Sequence, residues 1–562
     1  MTKITMLLMA AAGFTFSAPV SKDLQNLPAT AITDVIVQFK TSPTAAQLGK
    51  VRAKGGSVKK QFKKQSATVV YSLPTASVND LLLNTDVTFA SKDRSLSGKL
   101  DYANPAVGAP LAFSSGWTGS NIGIAVIDSG VNSSHPDLSG RVVYSENFVA
   151  GETTTADLFG HGTHVAVIAA GNAAASTGSG TTITFRGIAP DAKIINLRVL
   201  NGQGAGIDSS LIAAIDRAIE LKATHNIRVI NLSLGRPIFE SYTLDPICRA
   251  VETAWKAGIV VVVSAGNLGR NNSTGTNGYG TITSPGNDPF VLTVGATKDM
   301  KTASRGDDLV TTFSSKGPTL IDHIVKPDVV APGNLIIAGK VSGSTLLSAY
   351  PGNEVPKEYY LNSNSARPSS DYFTLSGTSM SAPIVSGIVA AMIQKSSTLT
   401  PDLAKARLMR TATKAFPWSY TFTDSATAGT YTITHDIFTM GSGYVDMNAA
   451  LNDSSTGTGA ALSPKAVFDA TTGAVWMNYN HLAGTSVMWG SNVVWSANVV
   501  WGSNIVWGGT LMTDKIVQGT NVVWGESTVA GFNVVWGENV VWGENVVWGE
   551  TFALALSAQG DN

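Results

Sequence analysis

Four runs of nearly continuous valine and isoleucine set what this chain folds into. Residues 122–127 and 259–263 are apolar or glycine throughout, and 193–199 and 229–234 carry adjacent apolar residues rather than strictly alternate ones. A strand that is apolar on both faces has to be buried on both, which is the situation of a parallel sheet covered by helices. Helical patterns stand between these runs, at 164–170, at 247–256 and at 210–222, where Leu211, Ile212, Ile215, Ile219 and Leu221 recur at helical spacing. Strand and helix in alternation predict an α/β domain, a mainly parallel sheet with helices on both faces.

At 562 residues the chain is too long for that domain alone. With 44% hydrophobic and 14% charged residues it has the material for a large core, and a disordered chain is excluded over most of its length. A net charge of zero gives no reason to expect a nucleic-acid partner. The zero hides a segregation: residues 31–100 hold 11 Lys+Arg against 4 Asp+Glu, a net of +7, and residues 481–562 hold one lysine against six acids, a net of −5. A single cysteine, Cys248, rules out an internal disulfide, and among Ile247, Ala250 and Val251 it reads as a small buried hydrophobe. Residues 1–18, with Lys3, an apolar run over 4–16 and then Ser17-Ala18, have the pattern of a secretory signal. No later stretch reaches the ~18 apolar residues of a membrane span.

Residues 19–105 read as a small α+β unit, with strands at 34–39, 67–73 and 87–90 and helices at 44–53 and 78–83. The basic residues Lys59, Lys60, Lys63 and Lys64 read as a solvated loop.

The chemistry-bearing stretch is Leu375-Ser376-Gly377-Thr378-Ser379, which runs into an apolar helical pattern with Pro383 in its first turn. Ser379 is thereby expected at a helix N-terminus, where partial positive charge favours a nearby oxyanion. A serine hydroxyl needs a base to take its proton and a carboxylate to orient that base. Asp128 ends the apolar strand 122–127, just before Gly130, and His161 opens a helical run in Gly160-His161-Gly162-Thr163-His164. In their order Asp128, His161, Ser379, these three segments resemble the active-site motifs of the subtilisin-like serine proteases.

The resemblance implies a serine endopeptidase, secreted and made as a self-processed precursor. It covers about residues 106–452 as the catalytic domain, with 19–105 as a subtilisin-type propeptide that assists folding and then inhibits. His161 is implied as general base, His164 as structural, and Asn267, in Ser264-Ala265-Gly266-Asn267, as oxyanion-hole donor. Gly204, Ala205 and Gly206, with Ser233, Leu234 and Gly235, are implied as the two edges that bind an extended protein or peptide substrate. With no acidic cluster to mark a pocket for basic side chains, a broad apolar preference is expected. Segments 313–318 and 326–333 also resemble the family and are read as structural. Calcium is common in the family, but Asp137, Asp208 and Asp288 are scattered and give no ligand set, so the metal stays open. Two departures stand out: Val167 replaces a glycine usual after His-Gly-Thr-His-Val-Ala, and residues 340–371 form an extra segment expected as a loop at the cleft.

Residues 453–488 read as a linker. Beyond it, over 489–550, Trp489, Trp495, Trp501 and Trp507 recur every six residues, and Trp524, Trp536, Trp542 and Trp548 form a second tract. An even spacing puts every tryptophan on one face of an extended chain, so a hexapeptide-repeat β region is expected. Such a face suits contact with a surface or carbohydrate. The alternative function is then a binding protein whose tail is the working part and whose protease fold is a carrier.

Overall fold

The computed structural model describes residues 32–92 except 54, 62–66, 75–76, 79–80 and 82–85; residues 100–469 except 274, 364, 415, 418, 425–428 and 457–458; and then 474–478, 499–501, 505–507, 551–553 and 561. The expected signal segment and most of the tryptophan repeats lie outside them. The chain divides into two compact units, Met1–Leu96 and Ser97–Asn562.

In the first unit β1 (Ile32–Phe39), β2 (Ser57–Gln61), β3 (Thr68–Pro74) and β4 (Val87–Lys92) form an antiparallel sheet in the order β2-β3-β1-β4, with α1 (Ala45–Arg52). Alternation in β1 buries Val35, Val37 and Phe39 against Val69, Tyr71 and Leu73. Thr44 caps α1 in a capping box with Gln47. Lys59 and Lys60 lie in edge strand β2 rather than in a loop, and Lys59 reaches Asp34 at 2.5 Å. An edge strand with one wet face accepts lysine without cost, which is why polarity alone misread it. The helix expected over 78–83 falls largely outside the described residues.

The second unit opens with α2 (Leu100–Val107) and α3 (Ala109–Ser114). Ala103, Ala106 and Val107 are buried in its main core, so the boundary expected at 105/106 falls inside a helix of this unit. The main sheet contains β5 (Gly123–Asp128), β6 (Val142–Asn147), β7 (Lys193–Arg198), β9 (Ile227–Leu232), β10 (Val260–Ser264), β11 (Leu292–Lys298), β12 (Leu309–Val310) and β13 (Val329–Pro332). A separate short strand, β8 (Ala205–Ile207), follows β7. Strand order is β6-β7-β5-β9-β10-β11-β13, all parallel, with β12 antiparallel to β11. Every residue of β5 and β10 is buried, as their Val/Ile runs required. From β5 the chain builds first to one side and then to the other. The strand order therefore reverses beside β5, and open sheets of this kind bind ligands at the carboxyl ends of such strands.

Helices α4 (His161–Ala170), α5 (Asp208–Glu220), α6 (Pro246–Lys256), α7 (Thr378–Lys395) and α8 (Pro401–Thr411) complete the unit. α4 is buried throughout and α7 from Thr378 to Ile393, because both are apolar or small on all sides. A side chain at Gly387 of α7 would put its Cβ 2.6 Å from that of Ile188 and 3.1 Å from the Ala169 carbonyl, so α7 can lie this close to the α4 region only with glycine there. Strands β14 (Ile336–Gly339), β15 (Glu354–Pro356) and β16 (Pro368–Leu375) form a small antiparallel sheet, so the segment expected as a loop is structured. Two hairpins follow, β17 (Ser419–Thr423) with β18 (Thr430–Thr434), and β19 (Lys465–Asp469) with β20 (Ala474–Asn478).

The latter lies within the expected linker, and Ala461 and Ala466 enter the main core. Ser463 donates to Asp328 at 2.5 Å. Lys326 and Lys405 lie 2.7 and 3.3 Å from the same carboxylate, all three side chains fully buried. Burial pushes the Lys405 ammonium down to about 7. In the repeat region β21 (Val499–Trp501) pairs antiparallel with β22 (Ile505–Trp507).

Val167, the departure on α4, is fully buried, and a Cβ on Gly339 of β14 would stand 2.7 Å from its Cγ2. Bulk added on the helix is thus matched by a side chain missing from the strand. Gly339→Ala is expected to cost about 1–3 kcal/mol by overpacking. Urea unfolding of a double-mutant cycle with Val167→Ala should show coupling above about 0.5 kcal/mol, and simple additivity would contradict the account.

Candidate active site

Asp128 is the last residue of β5, held by a wholly buried strand at the carboxyl edge of the sheet. Its Oδ1 accepts from the Ser129 N–H at 2.7 Å. His161 is the first residue of α4, and its Nδ1 lies 2.8 and 3.0 Å from the two Asp128 oxygens. Both side chains are buried, at 1% and 0% exposure, so solvent does not screen the pair. With Nδ1 donating to the carboxylate, Nε2 carries the lone pair, and this buried nitrogen has no hydrogen-bond partner.

Two glycines make room at the start of α4. A Cβ on Gly162 would overlap the Gly130 carbonyl oxygen. Gly160 caps α4 at φ 99°, and a Cβ there would meet Ser344 Oγ at 2.6 Å.

Asp157 was not singled out from the sequence, yet it ties these parts together. Its carboxylate accepts from Ser129 Oγ at 2.8 Å, Gly160 N at 2.7 Å and Thr163 N at 2.8 Å. Burial pushes this carboxyl up, and the hydrogen bonds oppose that shift. The one signal was an acid a few residues ahead of a helix, a cap pattern that is weak by itself.

Ser379 stands in the first turn of α7, almost fully buried. Its Oγ donates to the Ser233 carbonyl at 3.1 Å, and Ser233 Oγ donates in return to the Ser379 carbonyl at 2.8 Å. Ser233 follows β9, so the edge formed by Ser233, Leu234 and Gly235 is fastened to the turn that carries Ser379. Gly235 leaves no room for a side chain, since a Cβ would lie 2.6 Å from Thr283 Oγ1.

Asn267 follows β10, and its Oδ1 accepts from Thr378 N at 2.9 Å and Thr378 Oγ1 at 3.1 Å. This fixes the amide plane with the carbonyl end on Thr378. A Cβ on Gly377 would lie 3.0 Å from Nδ2, so the NH₂ end faces the turn that leads to Ser379.

Gly204 and the strand β8 form the second edge. Gly204 turns at φ 76°, with Phe159 where its side chain would be. The extra segment braces this region: Thr345 and Leu346 N–H groups donate to the Leu158 and Phe159 carbonyls at 3.1 and 3.0 Å, and Thr345 Oγ1 donates to Gly202 O at 2.6 Å.

The three scattered carboxylates do not converge. Asp137 accepts from Tyr372 at 2.9 Å, Asp208 pairs with Arg236 at 3.0 Å, and Asp288 accepts from the Phe290 N–H at 2.8 Å. Among the described residues no three His, Cys, Asp or Glu side chains group as a metal site. Cys248 is buried, and burial raises its thiol well above the usual range.

His164 Nε2 meets the Phe373 carbonyl at 3.2 Å, and burial, with His161 nearby, lowers its pKa to about 3. Unfolding restores an ordinary value near 6.5, so the unfolded chain binds a proton from pH 6.5 downward that the folded chain refuses until about 3. Stability contributed by His164 therefore falls as pH falls through that window. Against His164→Gln, the wild-type chain should lose stability by up to about 1.4 kcal/mol per pH unit between 6 and 4 in urea unfolding. A difference independent of pH would contradict a neutral buried imidazole.

The model of the subtilase family matches residues 119–441. Serine protease AprX of Bacillus subtilis (strain 168) is 36% identical over 383 residues, covering 66% of this chain and 80% of that protein. Subtilisin E of the same organism is 33% identical over 386 residues, covering 67% and 84%. M-protease of Shouchella clausii (strain KSM-K16) is 32% identical over 339 residues, covering 60% and 71%. With that match spanning more than half of the chain, over the segment that carries Asp128, His161 and Ser379, the protein belongs to the subtilase family and is a serine endopeptidase.

Proposed function

We propose that this chain cleaves peptide bonds through an acyl-enzyme on Ser379. The observation that supports it most is the buried Asp128–His161 pair, which leaves Nε2 as an unpartnered base on the edge that carries Ser379. In this reaction the Ser379 hydroxyl leaves the Ser233 carbonyl, its partner in the resting site, and turns to Nε2. His161 takes that proton as Oγ attacks, then gives it to the leaving amine, and Asp128 holds the tautomer and stabilises the imidazolium. The tetrahedral oxyanion forms between Asn267 Nδ2 and the Ser379 N–H. Water then attacks the acyl-enzyme by the same proton route and frees the acid product.

Substrate protein is held as an extended strand between Gly204–Gly206 and Ser233–Gly235, so main-chain hydrogen bonds supply affinity at any sequence. The apolar residues 1–18 support reading the protein as secreted, and the basic antiparallel unit ahead of the catalytic one is read as a propeptide that is cut off and inhibits meanwhile.

A fluorophosphonate should label the wild-type protein and not Ser379→Ala. Intact mass should show loss of roughly the first hundred residues from the labelled form, in keeping with an N-terminal unit that ends at Leu96. Asn267→Ala should lower kcat by ~10²–10³, the effect known for the corresponding donor in subtilisin itself, with little change in KM. Absence of label on the folded wild-type protein would overturn the proposal.

A further inference from the structure

The end of the chain is seated on the catalytic unit at two places. Residues Thr551–Ala553 form a strand, β23, that pairs antiparallel with β8, with Thr551 opposite Ile207, Phe552 opposite Gly206 and Ala553 opposite Ala205. Among the described residues β23 is the only partner of β8. The edge assigned above to substrate is therefore occupied by the chain's own tail. One strand edge offers a single set of hydrogen-bonding groups, so tail and substrate cannot both use it.

The second place is a carboxylate pocket. Asp561 is 1% exposed. Its Oδ1 accepts from Arg270 Nη2 at 2.6 Å and Thr312 Oγ1 at 2.7 Å, and its Oδ2 from the Thr312 N–H at 2.7 Å. Its backbone pairs in both directions with the Asn334 side chain, N to Oδ1 at 2.8 Å and O from Nδ2 at 3.0 Å. Arg270 has supports of its own, the Asp424 carboxylate at 2.7 Å and the Tyr431 ring at 4.9 Å.

This pocket adjoins the catalytic turns. Arg270 lies three residues past Asn267. Asn334 is flanked by Gly333, whose carbonyl accepts from Gly377 N at 2.8 Å, and by Leu335, whose N–H donates to Ser376 Oγ at 2.7 Å.

We infer that the stretch carrying Thr551–Ala553 and Asp561 is a built-in competitive inhibitor, with Thr551–Ala553 paired along the substrate edge and Asp561 locked in the Arg270–Thr312–Asn334 pocket. The inference rests on the proposed use of the Gly204–Gly206 edge by substrate. It assigns the catalytic unit a site for a peptide that carries an edge-pairing strand and, eight residues on, a buried aspartate, and it gives this stretch a role apart from the tryptophan repeats.

The test compares the full chain with Asp561→Ala, with Phe552→Pro, which breaks the strand pairing, and with a form ending at residue 550. Intact mass verifies which species retain residue 562. Rates are read on a short peptide anilide and as the rate of fluorophosphonate labelling. All three changes should raise kcat/KM by at least about tenfold, the factor for losing one charge-assisted contact, mainly through a lower KM. A synthetic peptide of residues 551–562 should inhibit the shortened form competitively, and the same peptide with Asp561→Ala should do so about tenfold less well.

Equal rates in all forms, together with no inhibition by the peptide, would overturn the inference, even if Asp561→Ala lowers the melting temperature. Should the wild-type tail prove to be clipped, the peptide arm decides alone. Failure of the shortened form to label at all would instead count against the proposed catalysis at Ser379.

Discussion

The site is governed by a carboxylate and an imidazole kept out of water together. A carboxylate at 1% exposure beside an imidazole at 0% is tolerable only if nearly every lone pair is satisfied. Asp128 meets that demand with the Ser129 N–H and the His161 ring, and Ser129 with Asp157 and the Gly162 N–H. Arg198, buried at the end of β7, donates to the Ser129 carbonyl at 3.2 Å and reaches Glu152 at 2.6 Å. The orientation of one imidazole is thus tied to two strands and a helix start.

The sheet brings the remaining groups to the same edge. Asp128 ends β5, Ser233 follows β9, Asn267 follows β10, and α7 starts at that level with Ser379 in its first turn. Parallel strands place all their carboxyl ends on one side, so residues distant in sequence gather there without any one loop having to span the cleft. The two anchors of the C-terminal tail fall on this edge as well.

What could be read from the sequence depended on how local its cause was. The parallel sheet was legible because burial on both faces writes itself as consecutive Val and Ile. The positions of Asp128, His161, Asn267 and Ser379 were legible because each sits in a short string dictated by a turn or helix start. Asp157 was missed because its partners, Ser129, Gly160 and Thr163, are known only once β5 and α4 meet. Ser463 was placed in a linker because its partner Asp328 lies more than a hundred residues earlier. The pairing of β23 with β8 was invisible for the same reason: three residues carry no periodicity, and their register is set by contacts some 350 residues away in the chain. Val167 reads from the sequence as a departure from the family pattern and is answered by Gly339 on a strand far off in sequence.

The central claim is that Asp128 fixes His161 in the tautomer protonated at Nδ1, with Nε2 left as the base. The direct measurement is ¹⁵N NMR of the His161 ring at neutral pH in the Ser379→Ala protein, which cannot digest itself. The account requires a proton on Nδ1, shifted downfield by the short bond to Asp128, and an unprotonated Nε2, with Asp128→Asn removing that signature. A proton on Nε2 in the parent protein would contradict it.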